Sequence, residues 1–131
     1  SGQGALASPG TLLQHYAPRA RLILYHGAPA AMLDVIREEA LRLHAKGTRV
    51  GLLLAEEDLA LFAGLPLILR AAGPVEDLEA VARQLFTTLR ELDAAEVRVI
   101  LARDFGSAGL GLAIRDRLTR AAGGNVIEVQ S

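Results

Sequence analysis

The chain has 131 residues, 51% of them hydrophobic, and carries 14 basic against 15 acidic side chains for a net charge of −1. That is one domain with enough apolar material for a core, which excludes a disordered tail, and the balanced charge argues against direct nucleic-acid binding. The absence of cysteine excludes a disulfide framework, a thiolate nucleophile and a cysteine-ligated metal, and it points to the cytoplasm. No apolar run is long enough for a membrane span, so no membrane partner is expected.

From Ser1 to Arg21 neither a helical nor a strand period is sustained. Gly2, Gly4, Pro9, Gly10 and Pro18 punctuate the segment, which reads as a tether over residues 1–21, with a folded domain over 22–131. Leu22 to Tyr25 is a short apolar run closed by Gly27 and Pro29, the pattern of a buried strand. Met32, Leu33, Ile36, Ala40 and Leu43 then repeat at helical spacing. Pro29 suits the first turn of that helix, and Gly47 the left-handed position past its end.

Arg49 to Ala55 predicts a second strand, Glu56 to Phe62 one or two helical turns, and Pro66 to Leu69 a third strand. Leu78, Ala82, Leu85, Leu89 and Leu92 step by four and three, the clearest helix in the chain. Glu76, Asp77 and Glu79 lie at its start, where the dipole favours carboxylates. Val97 to Leu101 predicts a fourth strand, Leu110 to Ala121 a last helix stopped by Gly123 and Gly124, and Val126 to Val129 a final strand. Strands apolar on both faces, alternating with helices, predict an α/β domain. The expected architecture is a three-layer Rossmann-like sandwich around a mostly parallel sheet of about five strands.

Few residues invite chemistry. The run Phe105 to Gly111 follows a strand and opens a helix, the setting of a phosphate cradle. Gly106, Ser107, Gly109 and Gly111 would form it, with Arg103, Arg115 and Arg117 as helpers. Its G-x-x-G-x-G spacing is neither the dinucleotide fingerprint nor a P-loop, and tight-turn packing explains the glycines as well. Glu56, Glu57 and Asp58 follow the second strand. A metal site and an acidic first helical turn both fit them, and the helical turn is the preferred reading. His44 sits at a helix end, and His26 at a strand end has no base-forming partner in sequence. No nucleophile elbow is present, so no catalytic residue is expected. His15 and Tyr16 are left over, with no obvious core of their own to enter; packing back on this domain and docking into another both fit them.

Those tether residues carry a resemblance. Ser8-Pro9-Gly10-Thr11-Leu12-Leu13-Gln14-His15-Tyr16-Ala17-Pro18 resembles the interdomain linker of the two-domain threonylcarbamoyl-AMP synthases, which runs S-P-G-M, three variable residues, then H-Y-A-P. Gly109 to Leu118, followed by Ala121-Ala122-Gly123, is similar to the same family's G-x-G-x-A-I-x-N-R-L and A-A-G signature. Thr11 stands where the family usually has methionine, and Asp116 where it usually has asparagine. The resemblance implies the linker plus C-terminal accessory domain of such a synthase.

A YrdC-like catalytic domain in the same native chain would then turn threonine, bicarbonate and ATP into threonylcarbamoyl-AMP and pyrophosphate. That product serves threonylcarbamoyladenosine formation in tRNA. ATP and Mg²⁺ are implied for the intact parent, with no cofactor held firmly by this domain. His15, Tyr16 and Pro18 would close over the catalytic pocket. The alternative is a regulatory module that senses a nucleotide at the Gly106 to Gly111 turn.

Overall fold

The structure is a computed structural model and describes residues 16–130; the tether residues up to His15 lie outside it. Five strands form one sheet: β1 (Arg21–His26), β2 (Val50–Leu54), β3 (Ile68–Ala71), β4 (Val99–Arg103) and β5 (Val126–Glu128). Their order is β3-β2-β4-β1-β5, and every pairing is parallel. Helix α1 (Pro29–Ala45) joins β1 to β2. A 3₁₀ turn (Glu56–Asp58) and the short helix α2 (Leu59–Phe62) join β2 to β3. Helices α3 (Leu78–Ala94) and α4 (Leu110–Ala121) make the last two crossovers.

The strands alternate between two cores, as a period of two requires. Leu22, Leu24, Leu53, Ile100 and Ala102 face α3 and α4, packing on Leu85, Leu89, Ile114 and Leu118. Ile23, Tyr25, Leu52, Leu54 and Leu101 face the other way, onto Met32, Ile36, Ala40 and Phe62. The first two connections run one way across the sheet on one face, and the last two run back on the opposite face. Each crossover is then right-handed, the hand that the strand twist demands. Neighbouring connections leave on opposite faces around β4, which puts a crevice at its carboxyl end.

The helix ends follow their residues. Asp77 caps α3 by accepting the Ala80 N–H at 3.1 Å. Gly47 lies past the end of α1 at φ 90°, where the Thr48 N–H donates to the Leu43 carbonyl at 3.0 Å and its own N–H to that of His44 at 2.9 Å. This is a Schellman closure, which needs a residue without a Cβ at the left-handed position. Strand boundaries differ from expectation by one or two residues, β4 most clearly, at Val99–Arg103 rather than Val97 to Leu101. β3 begins at Ile68 rather than Pro66, since proline has no N–H for the ladder. The folded body also reaches upstream of Leu22, because Tyr16 to Ala20 already pack on it.

Candidate functional site

The crevice at the carboxyl end of the sheet is closed by the chain's own ions. Arg103, the last residue of β4, donates from Nη1 to both carboxylate oxygens of Asp58, at 3.1 and 3.0 Å. Its Nε donates to the Asp104 carbonyl at 2.8 Å, and its guanidinium lies 4.9 Å from the Phe105 ring centroid. Asp58 also accepts the Ala55 N–H at 2.8 Å. Both partners of the pair are buried. Beside them, Arg115 from α4 grips Asp104 through Nε at 3.1 Å and Nη2 at 2.6 Å, and this contact raises the Arg115 pKa. Two of the three cations expected to help an anion at the glycine turn, Arg103 and Arg115, are therefore committed to carboxylates of their own.

The glycine turn is built for packing. Gly106 and Gly109 have φ of 91° and 55°, and a Cβ on Gly111 would stand 2.6 Å from the Gly106 carbonyl oxygen. Residues with side chains cannot make this approach. The Gly106 N–H donates to Asp104 at 3.0 Å, and the Gly111 N–H to the Ala108 carbonyl at 2.9 Å. These N–H groups point inward, and a carboxylate stands directly behind the turn. A shallow open depression runs along α4 past Gly109, Leu112, Arg115 and Asp116. Of the cradle residues named from sequence, Gly109 lines it; Gly106, Ser107, Gly111 and Arg117 do not.

The acidic trio disperses in a similar way. Asp58 serves Arg103, Glu57 accepts the Val75 N–H at 3.2 Å, and Glu56 is exposed. Among the described residues no group of three histidine or acidic side chains is arranged to hold a metal ion. None of their helices is long and apolar enough to cross a membrane.

The most elaborate polar site lies at the other end of the sheet, where the tether meets the domain. Asp93, in the last turn of α3, is buried. Its carboxylate accepts the Tyr16 hydroxyl, the Arg19 N–H at 2.9 Å and the Ala20 N–H at 3.2 Å. Burial alone would raise the Asp93 pKa. The hydrogen bonds from Tyr16, Arg19 and Ala20 outweigh it and hold the carboxyl below its ordinary value. Tyr16 packs edge-on against Phe86, with ring centroids 6.4 Å apart, and the Arg90 guanidinium lies 5.7 Å from its centroid. Pro18, between these fixed points, is half-buried. His15 lies outside the described residues.

Sequence reasoning missed Asp93. The available signal was its position: a carboxylate in the last turn of a helix opposes the dipole, so its presence there calls for donors from elsewhere.

Tyr16 and Tyr25 are the only tyrosines of a chain without tryptophan. Burial first, then the Asp93 carboxylate, pushes the Tyr16 phenol up to about 12. Burial first, then Glu39, does the same for Tyr25, also to about 12. Phenolate absorbance at 295 nm should therefore rise well above pH 10 while the chain is folded. The sign follows from linkage: this stabilisation is complete below the unfolded value near 10 and is lost as pH climbs toward 12. Two phenols ionising near pH 10 in the folded chain would contradict the burial described.

Fold and site define a three-layer, all-parallel α/β domain that closes its own crevice and holds down an N-terminal lead-in. The chain belongs to the family described as "Threonylcarbamoyl-AMP synthase, C-terminal domain", whose profile matches residues 2–123. It is 38% identical over 120 residues to the threonylcarbamoyl-AMP synthase of Bacillus subtilis, covering 92% of this chain and 33% of that protein. The Pyrococcus abyssi threonylcarbamoyl-AMP synthase is 32% identical over 125 residues, 93% of this chain and 34% of that protein. The chain thus spans about a third of the curated relatives it matches.

Solved structures agree. P. abyssi Sua5 complexed with L-threonine superposes with a TM-score of 0.75 at 31% identity, over 88% of this chain and 32% of that one. A His/Tyr double-alanine variant of P. abyssi Sua5 gives 0.75 at 30% identity, over 87% and 31%. The C-terminal Sua5 domain of Pyrococcus horikoshii gives 0.68 at 29% identity, over 86% of this chain and all of that one.

Proposed function

We propose that this chain is the linker and C-terminal domain of a two-domain threonylcarbamoyl-AMP synthase, and that its task is to hold the linker where the catalytic domain needs it. In this reading the protein works in the cytoplasm, in the synthesis of threonylcarbamoyladenosine in tRNA. A YrdC-like domain of the same native chain condenses threonine, bicarbonate and ATP, and any ATP and Mg²⁺ bind there.

The observation that carries the reading is the grip of Asp93 on Tyr16, Arg19 and Ala20. It ties Tyr16, Arg19 and Ala20, at the end of the tether, to the end of helix α3, which supports a fixed base for the linker. A strap with a fixed base closes over a pocket at lower entropic cost than a free one. Closure excludes water and protects a labile carbamate or acyl-adenylate from hydrolysis. Two similar structures fit this reading by their subjects: one holds L-threonine, and the other replaces a histidine and a tyrosine by alanine.

The test is His15→Ala in the two-domain protein. Threonylcarbamoyl-AMP yield should fall by about tenfold, equivalent to ~1.4 kcal/mol, while ATP affinity stays within about twofold. An unchanged yield overturns the strap.

A further inference from the structure

The net charge of −1 averages two unlike ends of the molecule. Glu56, Glu57, Glu76, Asp77 and Glu79 are exposed and follow the carboxyl ends of β2 and β3. At the amino end of the sheet stand Arg19, Arg21, Lys46, Arg49 and Arg98, all exposed. Arg49 and Arg98 directly precede β2 and β4, and Arg21 opens β1, three consecutive strands of the sheet. The Arg98 N–H donates to the Arg49 carbonyl at 2.8 Å, and the Arg21 N–H to the Arg98 carbonyl at 3.0 Å. At ordinary strand spacing the three starts span about 10 Å.

Arg21, Lys46 and Arg98 rim one shallow depression floored by Gly47, Thr48 and Val99, and no acidic side chain lines it. Arg98 also borders the adjoining hollow with Arg19, where Asp93 and Glu96 are the acids present. Asp93 is already spent on the lead-in segment. On its other side Arg21 borders a hollow that also holds Glu38 and Glu39, and Glu39 is held by Arg42 at 2.6 Å. Among the described residues none of these five cations forms an ion pair, and residues 1–15 contain no acid to supply one. Arg49 donates from Nε to the Ala95 carbonyl at 2.9 Å and Arg19 from Nη2 to the Asp93 carbonyl at 3.4 Å, so each spends part of its guanidinium on the end of α3, whereas among the described residues Arg21, Lys46 and Arg98 form no side-chain hydrogen bond.

We infer that this amino-terminal edge binds the phosphate backbone of RNA, with Arg21, Lys46 and Arg98 holding one phosphate and Arg19 and Arg49 extending the track to its neighbours. Guanidinium groups suit phosphate oxygens in paired hydrogen bonds. The extended track favours a polyanion over a single free anion. With two tyrosines and three phenylalanines in the chain, binding rests on backbone charge and not on base stacking. The inference stands on this edge alone and does not depend on the strap described above.

The test measures binding of a fluorescein-labelled, 12-nucleotide single-stranded RNA to the 131-residue chain by anisotropy, across a salt series. The double variant Arg21→Gln/Arg98→Gln should weaken binding roughly ten- to thirtyfold at about 0.1 M salt, and flatten the log–log salt slope by about 1.4. Arg37→Gln/Arg83→Gln removes the same charge from exposed helix positions elsewhere and should change affinity less than about twofold. Equal weakening by both double variants overturns the site. Absence of RNA binding by the parent chain also overturns it, and leaves the edge to an acidic protein surface. Thermal midpoints within a few degrees of the parent confirm that both variants stay folded.

Discussion

Asp58→Ala should destabilise the domain by about 3–5 kcal/mol, because it strands the buried Arg103 guanidinium and the Ala55 N–H in the same step. Arg103→Met should cost a similar amount by stranding the Asp58 carboxylate. The double variant should recover much of the loss, since an apolar pair of suitable volume avoids the desolvation that the ions endure. Recovery stays incomplete, because the Ala55 N–H and the Asp104 carbonyl still lack their partners. Urea unfolding with an unchanged m-value measures all three. Single-variant losses under about 1 kcal/mol would mean that the pair is solvated and the crevice open.

Asp93→Ala should detach the lead-in segment and cost about 2–4 kcal/mol, since the Tyr16 hydroxyl and two backbone N–H groups lose one shared acceptor. Amide exchange at Arg19 and Ala20 reports detachment directly. Acid should act in the same direction. The Asp93 carboxyl titrates below its ordinary value, so its stabilisation is complete above about pH 4 and is lost as pH falls through the lower folded value. Slow exchange at Arg19 and Ala20 in the Asp93→Ala chain would show that Tyr16–Phe86 packing alone secures the segment.

The layers of this fold were legible in the sequence because they depend on local pattern. Leu22 to Tyr25 and Arg49 to Ala55 read as buried strands from their continuous apolar character, and Gly47 marked a helix end from its backbone freedom. The sites were less legible because they depend on partners far apart. Asp58 and Arg103 are 45 positions apart, and Tyr16 and Asp93 are 77. An acid at the start of a predicted helix has a sufficient local explanation in the dipole, which concealed the ion pair of Asp58. Gly106 to Gly111 satisfied the local criteria for an anion cradle. Only the fold shows Asp104 behind the turn and the Gly106 carbonyl occupying the space a Cβ on Gly111 would need. The near-zero net charge concealed the cluster of exposed bases at the amino end of the sheet, which only strand order reveals.

In the proposed reading, the domain contributes to catalysis by giving the linker a fixed base. The direct test is the fraction of consumed ATP recovered as threonylcarbamoyl-AMP by the two-domain protein, before and after Asp93→Ala. Released from its base, the strap should let water in, and that fraction should fall several-fold while ATP affinity holds. An unchanged fraction, with exchange at Arg19 and Ala20 showing the segment detached, would contradict the account.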